Sequence, residues 1–323
     1  MIRLAAALLW LAAGAQAAWA AESAPVRSAR VVATVMSDTD APAPGAAYRL
    51  ALRLRVADGW HTYWRNPGDA GAPPDIEWAG VAAGPIEWAA PERLREGELT
   101  TYAYHGEVLF PVRARGSGRA TVQARWLVCK DICVPEEGTF VLDLPAGTGA
   151  PSAEAPLFAA HDGRVPRASP WQARIAPDGT LSIAAPELTR ATVAEAWFAP
   201  EAGDRVVHDA PQALSFGSEG MRLGLRLARA DAAPLAGVVS IADRGGQRAA
   251  FRIEASAGPP PAPAEPLAAI MGAAFLGGLI LNLMPCVFPI LAMKAAGLAR
   301  GLAGGAARAH AASYAAGVLA AFL

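Results

Sequence analysis

Three cysteines, Cys129, Cys133 and Cys286, are too few for a disulfide-stapled scaffold, which draws its stability from many bridges. An excess of one charge is also missing: 28 Lys and Arg stand against 29 Asp and Glu, a formal net charge of -1. No basic tract occurs, which excludes the electrostatic footprint of a nucleic-acid binder. Charged residues make up only 18% of the chain against 53% hydrophobic, a balance that leans toward membrane association. The lean is local, because charged, aromatic and apolar residues mix up to about Gly258, whereas from Leu267 onward almost every residue is apolar, small or Gly. Between Arg27 and Leu144 long amphipathic helical patterns are lacking, which leaves β-structure.

At the N-terminus, Arg3 precedes the apolar run Leu4 to Ala15 and two small-residue sites, Ala15-Gln16-Ala17 and Ala18-Trp19-Ala20. This layout predicts a signal peptide over 1–21, with an apolar core shorter than the ~20 residues a spanning helix needs. The chain beyond it is then exported to an oxidising compartment, where scarce cysteines point to a functional pair and a special third thiol.

Tyr48, Leu50, Leu52, Leu54 and Val56 alternate with polar or small residues and predict a half-buried strand. Val31 to Met36, Val108 to Arg113, Thr121 to Val128 and Thr139 to Leu144 are further strand candidates between Gly, Pro and Asp-rich turns. The pattern predicts an all-β N-terminal region of two immunoglobulin-like β-sandwiches, over 22–147 and 148–258, followed by α-helical transmembrane segments. Pro145 to Ala155 reads as a linker, and Pro177-Asp178-Gly179 and Asp243-Arg244-Gly245-Gly246 read as hairpin turns. The proline-rich run over 259–266 reads as a stiff tether. A polytopic membrane domain is expected to start at 267–323, with a first helix over about 267–299 and a second from about 309. Lys294, Arg300 and Arg308 collect between the spans, which places that loop in the cytoplasm and the β-domains outside. The apolar stop at Leu323 reads as a break inside a longer protein.

The segment Trp126-Leu127-Val128-Cys129-Lys130-Asp131-Ile132-Cys133-Val134-Pro135 sets two cysteines three residues apart at a strand end. A disulfide needs Cα atoms about 4.4 to 6.8 Å apart, so Lys130-Asp131-Ile132 must turn tightly. If Val122, Ala124, Trp126 and Val128 point inward, Cys129 takes the opposite phase with Gln123 and Arg125, which predicts an accessible sulfur. A short closed loop gains little closure stabilisation, which suits a bond that opens and closes. Two other readings of the spacing stand open: an inert hairpin disulfide, and a metal site completed by His61 or His105.

Within the apolar segment Asn282-Leu283-Met284-Pro285-Cys286-Val287-Phe288-Pro289, the prolines break the helical ladder and leave Cys286 either exposed for chemistry or as a small packing residue in a kinked helix. Trp60, Tyr63, Trp64, Tyr102 and Tyr104 are expected in the core, and His61 and His105 are expected as structural histidines without catalytic roles.

Four stretches together resemble the membrane protein-disulfide reductases of the DsbD family, most closely its ScsB-like branch: Gly59 to Asp69 (GWHTYWRNPGD), Tyr102 to Gly106 (YAYHG), Trp126 to Pro135, and Met284-Pro285-Cys286. The resemblance implies a relay in the bacterial inner membrane, with the N-terminal domains in the periplasm. Electrons leave cytoplasmic thioredoxin, cross the membrane through a cysteine pair, pass to a C-terminal thioredoxin-like domain absent from this chain, and reach the N-terminal β-domain, which reduces periplasmic thioredoxin-fold proteins. Cys129 and Cys133 match the N-terminal pair and Cys286 the first membrane cysteine, so these three are the expected catalytic residues, with no cofactor or resident metal. Isomerases, cytochrome c maturation factors and peroxidase-type proteins are open as recipients. The rival reading is a membrane-anchored copper-tolerance module holding metal at Cys129 and Cys133.

Overall fold

The computed structural model describes residues 21–229, 233–259 and 267–283, with isolated helical pairs at 292–293, 312–313 and 316–317. The signal segment 1–20, most of the proline-rich tether, Cys286, Lys294, Arg300, Arg308 and the expected start of the second span near 309 lie outside the described residues.

The strands of the first half are β1 (Val26–Arg27), β2 (Val31–Ser37), β3 (Tyr48–Val56), β4 (His61–Gly68), β5 (Asp75–Ala79) and β6 (Ala82–Ile86). They continue with β7 (Glu92–Glu96), β8 (Leu99–His105), β9 (Glu107–Arg115), β10 (Gly118–Cys129) and β11 (Cys133–Leu144). One sheet runs β1-β2-β3-β9-β6, the other β11-β10-β4-β8-β7 with β5 beside β10. Period-two alternation explains why they stack: Leu50, Leu52 and Leu54 of β3 and Phe110 of β9 face Val122, Ala124, Trp126 and Val128 of β10 in one core. The expected strand over 48–56 is β3 itself, and those expected over 121–128 and 139–144 lie within the longer β10 and β11.

Pro145 to Ala155 is no free linker. Gly147 and Gly149 donate backbone hydrogen bonds to Pro42 and Ala41, Ser152 to Asp38, and the Ser152 hydroxyl to the Ser37 carbonyl at 2.7 Å. The short helix α1 (Ala155–Asp162) comes next, with Pro156 in its first turn where a missing N–H costs nothing. Its Phe158 is fully buried against Met36, Ala51 and Leu109, the outward residues of the β2-β3-β9 sheet. The Arg49 guanidinium lies over the Phe158 ring at 5.0 Å and pairs with Asp162. Phe158→Ala is therefore expected to cost about 3 to 5 kcal/mol of stability, read as a lower denaturation midpoint with an unchanged Cys129–Cys133 bond.

The second half comprises β12 (Arg167–Ala168), β13 (Ala173–Ile175), β14 (Thr180–Ala184), β15 (Val193–Pro200), β16 (Ala213–Gly217), β17 (Gly220–Gly224), β18 (Leu235–Asp243) and β19 (Arg248–Ala257). Their order is β15-β18-β19-β13-β14-β17-β16, with β12 beside β19 and β13 running parallel to β19. Ile175, Leu181, Ile183, Phe198, Leu223, Val239 and Ile253 form their core. Both expected hairpin turns are present, between β13 and β14 and between β18 and β19.

The two β-regions share a core: Trp197, Ala199 and Val238 of the second join the apolar cluster of the first. Tyr102 stacks on Trp197 with centroids 6.2 Å apart, the Asn66 amide donates to the Pro200 carbonyl at 2.7 Å, and Arg65 pairs with Glu201 at 3.1 Å. These contacts fix β4 and β8, the strands that bring His61, Tyr63 and His105 beside the cysteines.

A separate unit holds α2 (Leu267–Leu283), the front of the helix expected over 267–299. Among the described residues no helix is long and apolar enough to cross a membrane.

Candidate functional site: the hairpin disulfide

β10 and β11 pair residue by residue until Cys129 stands opposite Cys133. Lys130-Asp131-Ile132 then closes the hairpin, with the Lys130 N–H donating to the Ile132 carbonyl at 3.2 Å. The two cysteines are joined as a disulfide with Cα atoms 4.1 Å apart, which confirms the tight turn.

The two sulfurs are not equivalent. Cys133 is exposed on the edge strand β11, and the neighbouring Ile132 is 67% exposed at the tip. Cys129, expected on the accessible side, is only 3% exposed. Its phase is as expected, opposite Val128, but at this end of the sheet the outer face is not bare. Tyr63 from β4 and Ala103 from β8 pack with Cys129, flanked by Leu94 and Leu127, as a small second cluster outside the main core.

The ladder continues the row. Cys129 pairs with His61 of β4, and His61 with His105 of β8, so Cys133, Cys129, His61 and His105 stand side by side on four successive strands. The Tyr63 hydroxyl lies 3.5 Å from Cys133 Sγ and 3.1 Å from His61 Nε2. On its other nitrogen, His61 Nδ1 lies 3.9 Å from Glu96 Oε1, and His105 Nδ1 lies 2.9 Å from Glu92 Oε2. Gly71 (φ +102°) makes the cover possible, since a Cβ there would come 2.3 Å from the Tyr63 ring.

Burial pushes the Tyr63 phenol up to about 12, with Glu96 adding to the shift, so the hydroxyl keeps its proton throughout the neutral range. Burial also lowers the His61 imidazole below its ordinary value; Glu96 opposes this and His105 assists it. His61 is thus a neutral ring at neutral pH. With Glu96 beside Nδ1, the favoured tautomer carries its proton there and leaves Nε2 to accept from Tyr63.

Trp64, Tyr102 and Tyr104 are core residues as expected, and Trp60 is half-buried beneath Arg30. Tyr63 is different, because it touches a sulfur, and His61 touches Tyr63. The signal was in the sequence: His61 and Tyr63 share one phase of β4, opposite Trp64, and that phase meets the outward phase of β10. Although His61 stands next to the cysteine pair, no group of three or more His, Cys, Asp and Glu residues arranged to hold a metal occurs among the described residues.

A bridged pair at the turn of an edge hairpin, with one sulfur presented and one sheltered, is an arrangement that can undergo thiol-disulfide exchange. Residues 32–145 match the family described as thiol:disulfide interchange protein DsbD, N-terminal. Among solved structures, the N-terminal periplasmic domain of ScsB from Proteus mirabilis is 17% identical, covers 74% of this chain and 100% of its own, and superposes with a TM-score of 0.58, a likeness of fold. The DsbD N-terminal domain of Neisseria meningitidis in the reduced form is 16% identical over 38% of this chain and 91% of its own, with a TM-score of 0.24. No curated protein sequence matches.

Proposed function

We propose that this chain is the front part of a protein-disulfide reductase of the ScsB-like branch, which carries electrons from cytoplasmic thioredoxin across the bacterial inner membrane to periplasmic thioredoxin-fold proteins. The observation that carries the reading is the asymmetry of the bridge, with Cys133 exposed and Cys129 buried beneath Tyr63 and Ala103.

In the reduced domain, the Cys133 thiolate attacks one sulfur of a partner disulfide; the new bond forms as the partner bond breaks, and its electron pair leaves on the other partner sulfur. Cys129 then attacks the Cys133 sulfur and releases the partner as a dithiol, leaving the domain bridged. Two electrons and two protons pass to the partner in each cycle. Cys129 and Cys133 are close enough for the second step without strand movement, because they already face each other across the ladder. Recharging the pair falls to a C-terminal thioredoxin-like domain of a longer protein and to a membrane cysteine pair to which Cys286 contributes. Membrane insertion is favoured by α2, whose described large side chains Met271, Phe275, Leu276, Leu279, Ile280 and Leu281 are all exposed, an apolar surface that lipid covers more readily than water.

The test is electron transfer in solution. Mixed with an oxidised thioredoxin-fold protein, the reduced full chain in detergent is expected to lose the thiols of Cys129 and Cys133 as the partner gains two, counted by alkylation and peptide mass spectrometry. A partner that stays oxidised while the pair stays reduced contradicts the reading.

A further inference from the structure

We propose that His61 is a positioning residue for the exchange: through the Tyr63 hydroxyl it receives the thiol proton of Cys133 and returns it to the partner sulfur. The inference rests on the assignment of Cys133 as the attacking thiol.

The polar groups form one continuous row. Cys133 Sγ, Tyr63 Oη, His61 Nε2, His61 Nδ1 and Glu96 Oε1 follow one another with gaps of 3.5, 3.1 and 3.9 Å on either side of the imidazole. The Glu96 carboxylate, 3.9 Å away, favours by its charge the tautomer protonated on Nδ1; in that tautomer Nε2 accepts from the Tyr63 O–H, and the phenol oxygen is left to accept from a thiol. In the disulfide, Cys133 has no proton to give, so the path is completed only on reduction. The arrangement follows the logic of a nucleophile, a base and an orienting carboxylate, with a phenol interposed.

In the forward step the Cys133 S–H bond yields its proton to Tyr63 Oη while the phenol proton moves to His61 Nε2. Thiolate and imidazolium result, and Tyr63 is unchanged. When the partner disulfide breaks, the leaving thiolate takes the proton back along the same path. The high-lying phenol suits a conduit and not a base, and the neutral imidazole suits an acceptor. The groups facing His61 are Cys129 on β10, Tyr63 on β4, His105 on β8 and, from β7, Glu96 directly and Glu92 through His105. Of these, His105 weakens the basicity of His61 and Glu96 strengthens it. The path is present above the lowered pKa of His61 and is lost as pH falls through it.

The experiment uses the full chain in detergent with Cys129→Ser, and the alkylation rate at Cys133 is followed by peptide mass spectrometry from about pH 5 to about pH 9. Adding His61→Gln is expected to move the rate profile to higher pH and lower the rate at neutral pH roughly tenfold, the equivalent of one unit in thiol pKa. Tyr63→Phe should do the same, and the double variant should be no slower than either single one, because both act on one path. Tyr63→Phe keeps its ring under Gly71 and carries the test if His61→Gln does not fold. An unmoved profile, or losses that add, overturns the inference. Exchange with an oxidised thioredoxin-fold protein, run beside it on the chain with both cysteines, separates the two failures: normal exchange with an unmoved profile sinks the His61 path alone, and no exchange sinks the proposed function with it.

Discussion

Cys133→Ser is expected to abolish electron transfer to a disulfide partner, lowering the rate by at least about a hundredfold, whereas Cys129→Ser retains the first half of the reaction and stalls as a mixed disulfide. Stability alone cannot produce this difference. Either substitution removes the same bridge, of sequence separation 4, and for so short a loop the chain-entropy estimate is about 2 kcal/mol in both cases. Access does distinguish them, since Cys133 is exposed and Cys129 is 3% exposed behind Tyr63, Ala103, Leu94 and Leu127. The attacking thiolate must meet the partner disulfide in line with the bond that breaks, which requires an exposed sulfur, and of the two that is Cys133. Non-reducing electrophoresis of each variant after mixing with an oxidised thioredoxin-fold protein checks the result; equal adduct yields from the two variants would contradict it.

The second large effect lies far from the sulfurs. Trp197→Ala, in the second β-region, is expected to destabilise the first by about 3 to 5 kcal/mol, a large share of the 5 to 15 kcal/mol typical of a folded domain. The reason is the shared core: Trp197 stacks on Tyr102, whose ring meets Trp64 edge-on at 6.1 Å, and all three belong to the cluster that fills the first sandwich. Losing that support frees β4 and β8, from which Tyr63 and Ala103 cover Cys129. Faster amide exchange on β8, together with a single lowered unfolding transition, is the expected signature. Two independent transitions, with the first β-region unaffected, would show that the regions merely touch.

How much of this was legible in the sequence depends on where each residue's neighbours come from. Tyr48 to Val56 and Val122 to Val128 announced themselves by alternation, because each strand has one face on the core and one outside. β4 did not, since His61, Thr62, Tyr63 and Trp64 are all buried: its inner face meets the main core and its outer face meets the cysteine cluster, which erases the period. Similarly, α1 follows the expected linker without a pattern of its own, because its anchors Phe158 and His161 find their places only against β2, β3, β9 and the Glu87 carbonyl. The cysteine pair was visible from its spacing as a bridge that needs a tight turn, but the burial of Cys129 depends on β4 and β8, strands distant in sequence. The same non-local pairing sets His61, an expected structural histidine, beside the Cys129–Cys133 bridge.

The most direct measurement is the redox equilibrium of the Cys129–Cys133 bond in the full chain, titrated against glutathione buffers and read by mass spectrometry of the bridged peptide. If this bond carries electrons between proteins, its midpoint falls in the range of known exchange proteins, about -120 to -270 mV. A bond that stays closed until below about -300 mV is a structural staple, and such a result would contradict the account.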